Sequence, residues 1–377
     1  MTHQPGRVRL ATALVGRDYR GGMRLSVLDL INVRTGQTAR DSLMASKAMV
    51  ELADRLGYTR YWVAEHHNTE SVASTSPAVE LMYLGADTER IRLGSGGVML
   101  PNHSPLAVAE QFALLCNVYG DRIDLGIGRA PGTDPVTSAA IRGHLGAGSY
   151  VDANGRPLDP VAEFPQNVMD ILTLLSPGGA EVLLRHGQTY TLRPAPDLAA
   201  RPEVWLLGSS DYSAELAASL GLPYVFAHHF SGRGTERALE LYRGNFTPTD
   251  NGTKPRTFVT VNVSVADTDD QAWELAEPHI HSMASLRSGG GLSRARLVGD
   301  DVRSVLTDEL RQVVAPALHT WAIGDAAQVA EQLRETAAEF DVDEIMVHPV
   351  QGARPGEPSD AWPAKLHGLE LLADALL

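Results

Sequence analysis

Short apolar runs of strand length and longer stretches with helical spacing take turns along this chain. Residues 24–30 (RLSVLDL) form a short β-prone run, bounded by a loop at 32–36. Behind it, Thr38 offers an N-cap oxygen and Asp41 a first-turn acid. Met49, Leu52, Ala53 and Leu56 make an apolar helical face, and Gly57 a stop. Residues 60–64 return to strand character, because Tyr61, Trp62 and Val63 favour a pleated, buried surface. Strand, helix and strand in this order predict a β-α-β unit.

The unit recurs. Ser76-Pro77 opens a helix to about 87, since proline suits the first helical position. Residues 91–94 form a third strand, whose apolar character continues at 98–100; Pro105 opens a helix to about 118, and 122–127 form a fourth strand. Residues 133–160, rich in glycine and proline, read as a long connection; 164–175 are helical, and 183–192 read as a hairpin turning at Gly187-Gln188. Strands at 204–207, 224–227 and 258–265 follow, with helices at 213–220, 234–242 and from 269. Residues 285–313 are the least regular part and carry Gly289-Gly290-Gly291; they read as a mobile excursion over the active face. A helix at 325–340, an eighth strand at 344–348 and a closing helix at 362–377 complete the pattern. Eight strands alternating with helices, without a linker, predict one (β/α)8 TIM barrel with insertions over residues 23–377; an open doubly wound sheet is the alternative. Residues 1–22 carry Arg7, Arg9, Arg17 and Arg20 but only a short apolar patch, and read as an N-terminal extension rather than a signal peptide.

Composition narrows the function. The formal net charge is −14 with no long run of one sign, which argues against a nucleic-acid partner. Cys116 is the only cysteine, which excludes an intramolecular disulfide and a cysteine-rich zinc site. No run of about 18 apolar residues is present, so no membrane span is expected and a cytoplasmic location is.

Polar residues gather where the predicted strands end. Glu65, His66 and His67 follow the second strand, Gly96-Gly97 interrupts the third, Arg129 follows the fourth, Gly208-Ser209-Ser210 the fifth and His228-His229 the sixth. Arginine presents a planar fork of donors to phosphate, and a Gly-Ser-Ser turn before a helix presents backbone N–H groups and hydroxyls to an anion. Taken singly, these are equally a surface arginine and a capped helix; on adjacent strands they suggest a phosphate site. Adjacent histidines point opposite ways in extended chain, so one of each pair is expected to be structural. A metal-dependent barrel hydrolase is the rival from another class, but His279 and His281 fall in a helical region where i and i+2 diverge, and no metal site is expected.

Four segments carry a resemblance. Tyr-Trp-Val-Ala-Glu-His-His at 61–67, Leu-Gly-Ser-Gly-Gly-Val-Met-Leu-Pro at 93–101, Gly-Ile-Gly-Arg at 126–129 and Gly-Ser-Ser-Asp at 208–211 resemble, in order and spacing, the bacterial-luciferase-like flavin monooxygenases, the single-chain subgroup more than the light-emitting heterodimer. The resemblance runs from about Met23 to the C-terminus. It implies a barrel that takes FMN as FMNH2 from a separate flavin reductase and, through a C4a-peroxyflavin, oxygenates a small-molecule substrate. It implies a catalytic His66 flanked by Glu65 and His67, and a non-proline cis peptide at Gly96-Gly97 behind the isoalloxazine. It also implies phosphate contacts from Arg129, Ser210 and Ser213, with Ser209 beside them. Gly128 stands where the luciferases proper carry a reactive cysteine, and Ser209 where they carry glutamate, which argues against light emission and a long-chain aldehyde substrate. A deazaflavin F420-dependent oxidoreductase of the same fold is the cofactor alternative. Tyr212, His228, Phe230 and residues 285–313 are the expected substrate lining, and the early apolar helices offer a surface for a homodimer.

Overall fold

The computed structural model describes residues 23–143 and 159–377. The expected extension at 1–22 and part of the long connection, 144–158, lie outside the described residues. Eight parallel strands close into a ring: β1 (Arg24–Asp29), β2 (Arg60–Val63), β3 (Arg92–Ser95), β4 (Ile123–Gly128), β5 (Glu203–Gly208), β6 (Tyr224–Phe226), β7 (Thr257–Ala266) and β8 (Glu344–Pro349). The ring closes through β7, which pairs with β6 at Thr257–Val259 and with β8 at Val259–Val263, and through β8 against β1. These are the eight strands expected from the sequence, and the barrel expectation holds.

Local chemistry sets the elements. Thr38 caps the helix Ala39–Leu56 reciprocally with Asp41, and Gly57 ends it in the left-handed region at φ 89°. On β7, Val259, Val261 and Val263 face the helices while Phe258, Thr260 and Asn262 alternate with them and point into the barrel; beyond the ring, Ser264 donates to Ala272 O of the helix Asp269–Arg287 (2.7 Å).

The interior is layered along its axis. At the floor Arg60 is buried and donates to Glu344 (2.7 Å) and Asp124 (2.8 Å). Asp124 also accepts from Arg92 (2.6 Å) and Trp62 (2.9 Å), and Ser26 donates to Glu344 (2.7 Å). Above lies an apolar plug in which Trp62 packs edge-on against Phe258 (5.3 Å between centroids) and Trp205 (5.7 Å). Above the plug, at the C-terminal strand ends, the interior opens into a cavity of about 590 Å³.

Two expectations need correction. The connection after β4 contains a helix, Pro135–Ile141, capped by Asp134, whose carboxylate accepts from Val136 (2.9 Å) and Thr137 (3.0 Å) N–H. The irregular reading of 285–313 is too broad: the helix Asp269–Arg287 runs into it, and a second helix, Asp308–Leu318, begins inside it behind the N-cap Thr307. Between them Ala295 pairs with Arg34 across a parallel bridge, which ties this stretch to the chain after β1. A short strand, Ala322–Asp325, also pairs beside the far half of β7 outside the ring.

Candidate active site

His66 is set by the turn that follows β2. Its backbone N–H donates to Ser74 O (2.9 Å), and Ser74 Oγ reaches back to Ala64 O. Its side chain lines the cavity, and His66 Nδ1 is buried without a hydrogen-bond partner among the described residues. Burial pushes its pKa down; Glu65 opposes this and His67 adds to it.

Glu65 and His67 are placed differently. Glu65 is buried outside the cavity lining, and Oε1 accepts from His67 and His103, each at 2.7 Å, while Oε2 accepts from Met99 N–H (3.0 Å). Burial disfavours its charge, but the hydrogen bonds from His103 and His67 and the Met99 N–H outweigh it and hold the pKa down to about 2. Three groups expected near the chemistry thus become one at the cavity wall and two that fix the loop behind it. His103 was not expected: it stands in the turn after β3, and nothing in the sequence couples it to Glu65. Glu65, His67 and His103 bring their ligand atoms within 4.8 Å of one another and are joined through Glu65 Oε1, while Met99 N–H holds Oε2.

The Gly96–Gly97 bond is cis, and both residues line the cavity. A side chain at Gly97 would meet backbone, and one at Gly96 would have to displace the end of Leu28. A Cβ on Gly97 would come within 2.6 Å of Leu207 and 2.7 Å of the Gly126 carbonyl, and one on Gly96 within 2.8 Å of Leu28.

Arg129, Ser209, Ser210 and Ser213 line one side of the same cavity. Arg129 extends from the end of β4 over the Tyr212 ring (4.5 Å to its centroid) and makes no ion pair among the described residues. The helix Asp211–Ser219 starts here. Its N-cap, Ser210, has extended backbone but makes no side-chain cap bond, so its hydroxyl and the first-turn N–H groups stay available. Gly208 allows Ser213 to fold in closely, since a Cβ there would overlap it.

On the expected substrate lining, Phe230 and, from 285–313, Leu286, Leu292, Ser293 and Ala295 are present. Tyr212 is not; it stacks with Arg129. His228 is not either: it is buried, with Nδ1 2.7 Å from Thr235 Oγ1, and it is His229 that faces the cavity. Only one of that pair faces the site; both open the short helix His228–Ser231, where successive side chains diverge by about 100°. The cavity also gathers Asn262, His279, His348 and Lys365. Burial pushes His229 down to about 4, with His228 and His66 adding to it, and His279 down to about 3, with Lys365 and His229 adding.

The family model for luciferase-like monooxygenases matches residues 23–344. The chain belongs to that family. It is 38% identical over 349 residues to a luciferase-like monooxygenase of Escherichia coli (strain K12), covering 93% of this chain and 96% of the relative. It is 32% identical over 361 residues to an N-acetyl-S-alkylcysteine monooxygenase of Bacillus subtilis (strain 168), covering 94% and 98%. The crystal structure of apo-MsnO8 superimposes with a TM-score of 0.78 at 31% identity, over 94% of this chain and 98% of that one. More distant barrels share the fold alone. One is the oxygenating constituent of a Pseudomonas putida 3,6-diketocamphane monooxygenase in complex with FMN (TM-score 0.68, 17% identity). Another is an F420-dependent secondary alcohol dehydrogenase (TM-score 0.63, 13% identity). No helix among the described residues is long and apolar enough to cross a membrane.

Proposed function

We propose that this luciferase-like protein is an FMN-dependent monooxygenase that receives FMNH2 from a separate flavin reductase and oxygenates a small organic molecule. The carrying observation is the convergence on one cavity of an arginine without an ion pair among the described residues and an uncapped helix start on one side, the cis Gly96-Gly97 pair, and a His66 Nδ1 unpartnered among those residues. The residues fit the cofactor. Arg129, Ser209, Ser210, Ser213 and the first-turn N–H groups would hold a phosphate, and the side-chain-free Gly96-Gly97 surface would take a flat ring. Bound reduced FMN supplies the oxygen chemistry.

The protein supplies position, dryness and one proton. His66 Nδ1 has no competing partner, so it can hold or pass a proton at the cavity wall, and its lowered pKa keeps it neutral near pH 7. Leu286, Leu292 and Ala295 give the cavity an apolar wall on that side.

Stopped-flow mixing of the anaerobic protein–FMNH2 complex with oxygenated buffer tests this. An oxygen-dependent flavin transient that outlives the autoxidation of free FMNH2 is expected. Failure to bind FMNH2, with binding of reduced F420 instead, would overturn the reading in favour of hydride transfer.

A further inference from the structure

The groups assigned to phosphate come from the ends of β4 and β5. Directly across the ring, between β8 and β1, the cavity has a second cationic pole. Lys365 stands in the first turn of the helix Pro363–Leu376, lines the cavity and is 3% exposed. Its Nζ lies 4.1 Å from the Trp362 ring centroid and 3.4 Å from Asn32 Oδ1, and it makes no ion pair among the described residues. Asp29 is the acid that acts on it, but that carboxylate is occupied by Ser46 and Tyr61 hydroxyls and by Ile31 N–H (2.8 Å). Burial pushes the Lys365 pKa down to about 8, against the pull of Asp29, so below that pH the wall holds an ammonium that no carboxylate among the described residues touches.

The groups around it are also unfilled. His348 Nε2, Trp362 Nε1 and Gln351 Oε1 are buried without hydrogen-bond partners among the described residues, on side chains that line the same cavity. The role of His348 follows from its neighbour. Asn262 Nδ2 donates to His229 O (2.8 Å), so its Oδ1 accepts, and His348 Nδ1 (2.8 Å away) must carry the proton. In neutral His348, Nε2 is therefore a bare acceptor. Burial keeps this imidazole neutral, with His279, His229 and Lys365 adding to the effect. An ammonium, an indole N–H and a bare imidazole nitrogen at one end of a cavity call for an anion that also carries a hydrogen-bond donor. Pro278, Met283, Leu286 and Leu292 leave an apolar wall for the remainder.

We propose that the substrate is a small carboxylic acid whose carboxylate seats on Lys365, with an adjacent O–H or N–H donating to His348 Nε2 and its hydrocarbon part lying toward Met283 and Leu292. This rests on the monooxygenase reading for the reaction, but not for the binding. The flavin phosphate does not compete for Lys365, because its own cradle lies on the opposite side of the ring.

The test is calorimetric, on FMN-loaded protein, with a chain-length series of 2-hydroxyalkanoates, their amides and the unhydroxylated acids. The acids are expected to bind about tenfold or more tighter than the amides, and the hydroxy acids tighter than the plain acids, as charged and neutral hydrogen bonds would give. Lys365→Met and Lys365→Gln are expected to abolish the preference for acid over amide while leaving FMN affinity within about twofold. Equal affinity for acids and amides across the series would overturn the proposal. So would a lysine variant that keeps the acid preference but loses FMN, which would assign the ammonium to the cofactor ring. The native acid–amide comparison decides the matter even where a variant fails to fold. Acid preference without oxygen-dependent turnover would sink the monooxygenase reading alone; turnover of neutral compounds without acid preference would sink this proposal alone.

Discussion

Both ends of the barrel axis are charged, yet they are provisioned in opposite ways. At the floor Arg60 meets Glu344 and Asp124 at 2.7 and 2.8 Å, and Asp124 is shared with Arg92 and Trp62. Burial opposes the Arg60 charge, but Glu344 and Asp124 more than restore it. At the mouth Arg129 and Lys365 lack ion pairs among the described residues, and His66 Nδ1 and His348 Nε2 lack hydrogen bonds. The two regions are separated by the plug of Trp62, Trp205 and Phe258. Polar groups paired among themselves hold a barrel together, while polar groups left waiting are provision for something that binds.

The contrast breaks most severely at the floor. Arg60→Met leaves Glu344 and Asp124 buried without their main cation, and is expected to cost about 3–5 kcal/mol of unfolding free energy. Urea denaturation measures it, and a loss under about 1 kcal/mol would show that water reaches the floor. At the mouth, His66→Ala is expected to lower oxygenation turnover about 10²–10⁴-fold with FMN affinity kept, as for a removed proton-transfer group. Unchanged turnover and an unchanged flavin transient would end the catalytic role.

Acid tests the same contrast. His228 is buried, and burial pushes its pKa down to about 4 from an ordinary 6.5. Above about 6.5 neither folded nor unfolded chain holds that proton; below, only the unfolded chain takes it up, so stability falls as pH drops from about 6.5 to about 4. The full shift is worth about 3 kcal/mol. His228→Gln should flatten that slope by about one proton in denaturation curves across the window. A slope that His228→Gln leaves unchanged would mean that the imidazole is solvated. Arg129→Ala is expected to weaken FMN by about 1.5–3 kcal/mol, as for a hydrogen bond to a charged group, and riboflavin hardly at all. Equal losses for both would show that the arginine does not read the phosphate.

Much of this was legible from residue order, for physical reasons. Most ring strands announce themselves as short β-prone stretches because nearly all their residues are buried, although β3 (Arg92-Leu93-Gly94-Ser95) carries a single large apolar side chain. Strand-end polar residues such as His66, Arg129 and Ser210 stand out because they break such runs, and the barrel brings them to one mouth. On β7 only the strand itself was read; that Thr260 and Asn262, alternating with valines, point inside follows from the closed barrel. His103 and Lys365 were not. A histidine in a turn and a lysine in a helix both read as solvated, and only the fold shows that one braces Glu65 and the other is buried. The helix at Asp134-Pro135 carried its signal, an N-cap followed by proline, within a stretch whose glycine content suggested a loop.

The smallest expected effect separates structure from provision most finely. A serine at an N-cap ordinarily bonds to the first-turn N–H groups, and its loss costs about 0.5–2 kcal/mol of stability. Ser210 occupies that position with extended backbone, yet its hydroxyl makes no such bond, and it lines the cavity beside Arg129. Ser210→Ala is therefore expected to leave the unfolding free energy unchanged within about 0.5 kcal/mol. If the hydroxyl is there for phosphate, the same change weakens FMN by about 0.5–1.5 kcal/mol, the worth of one ordinary hydrogen bond, with riboflavin unaffected. The paired measurement matters more than either half. Lost stability with intact FMN affinity would return Ser210 to the capping residues, and the mouth would then owe its anion site to Arg129 and the backbone alone.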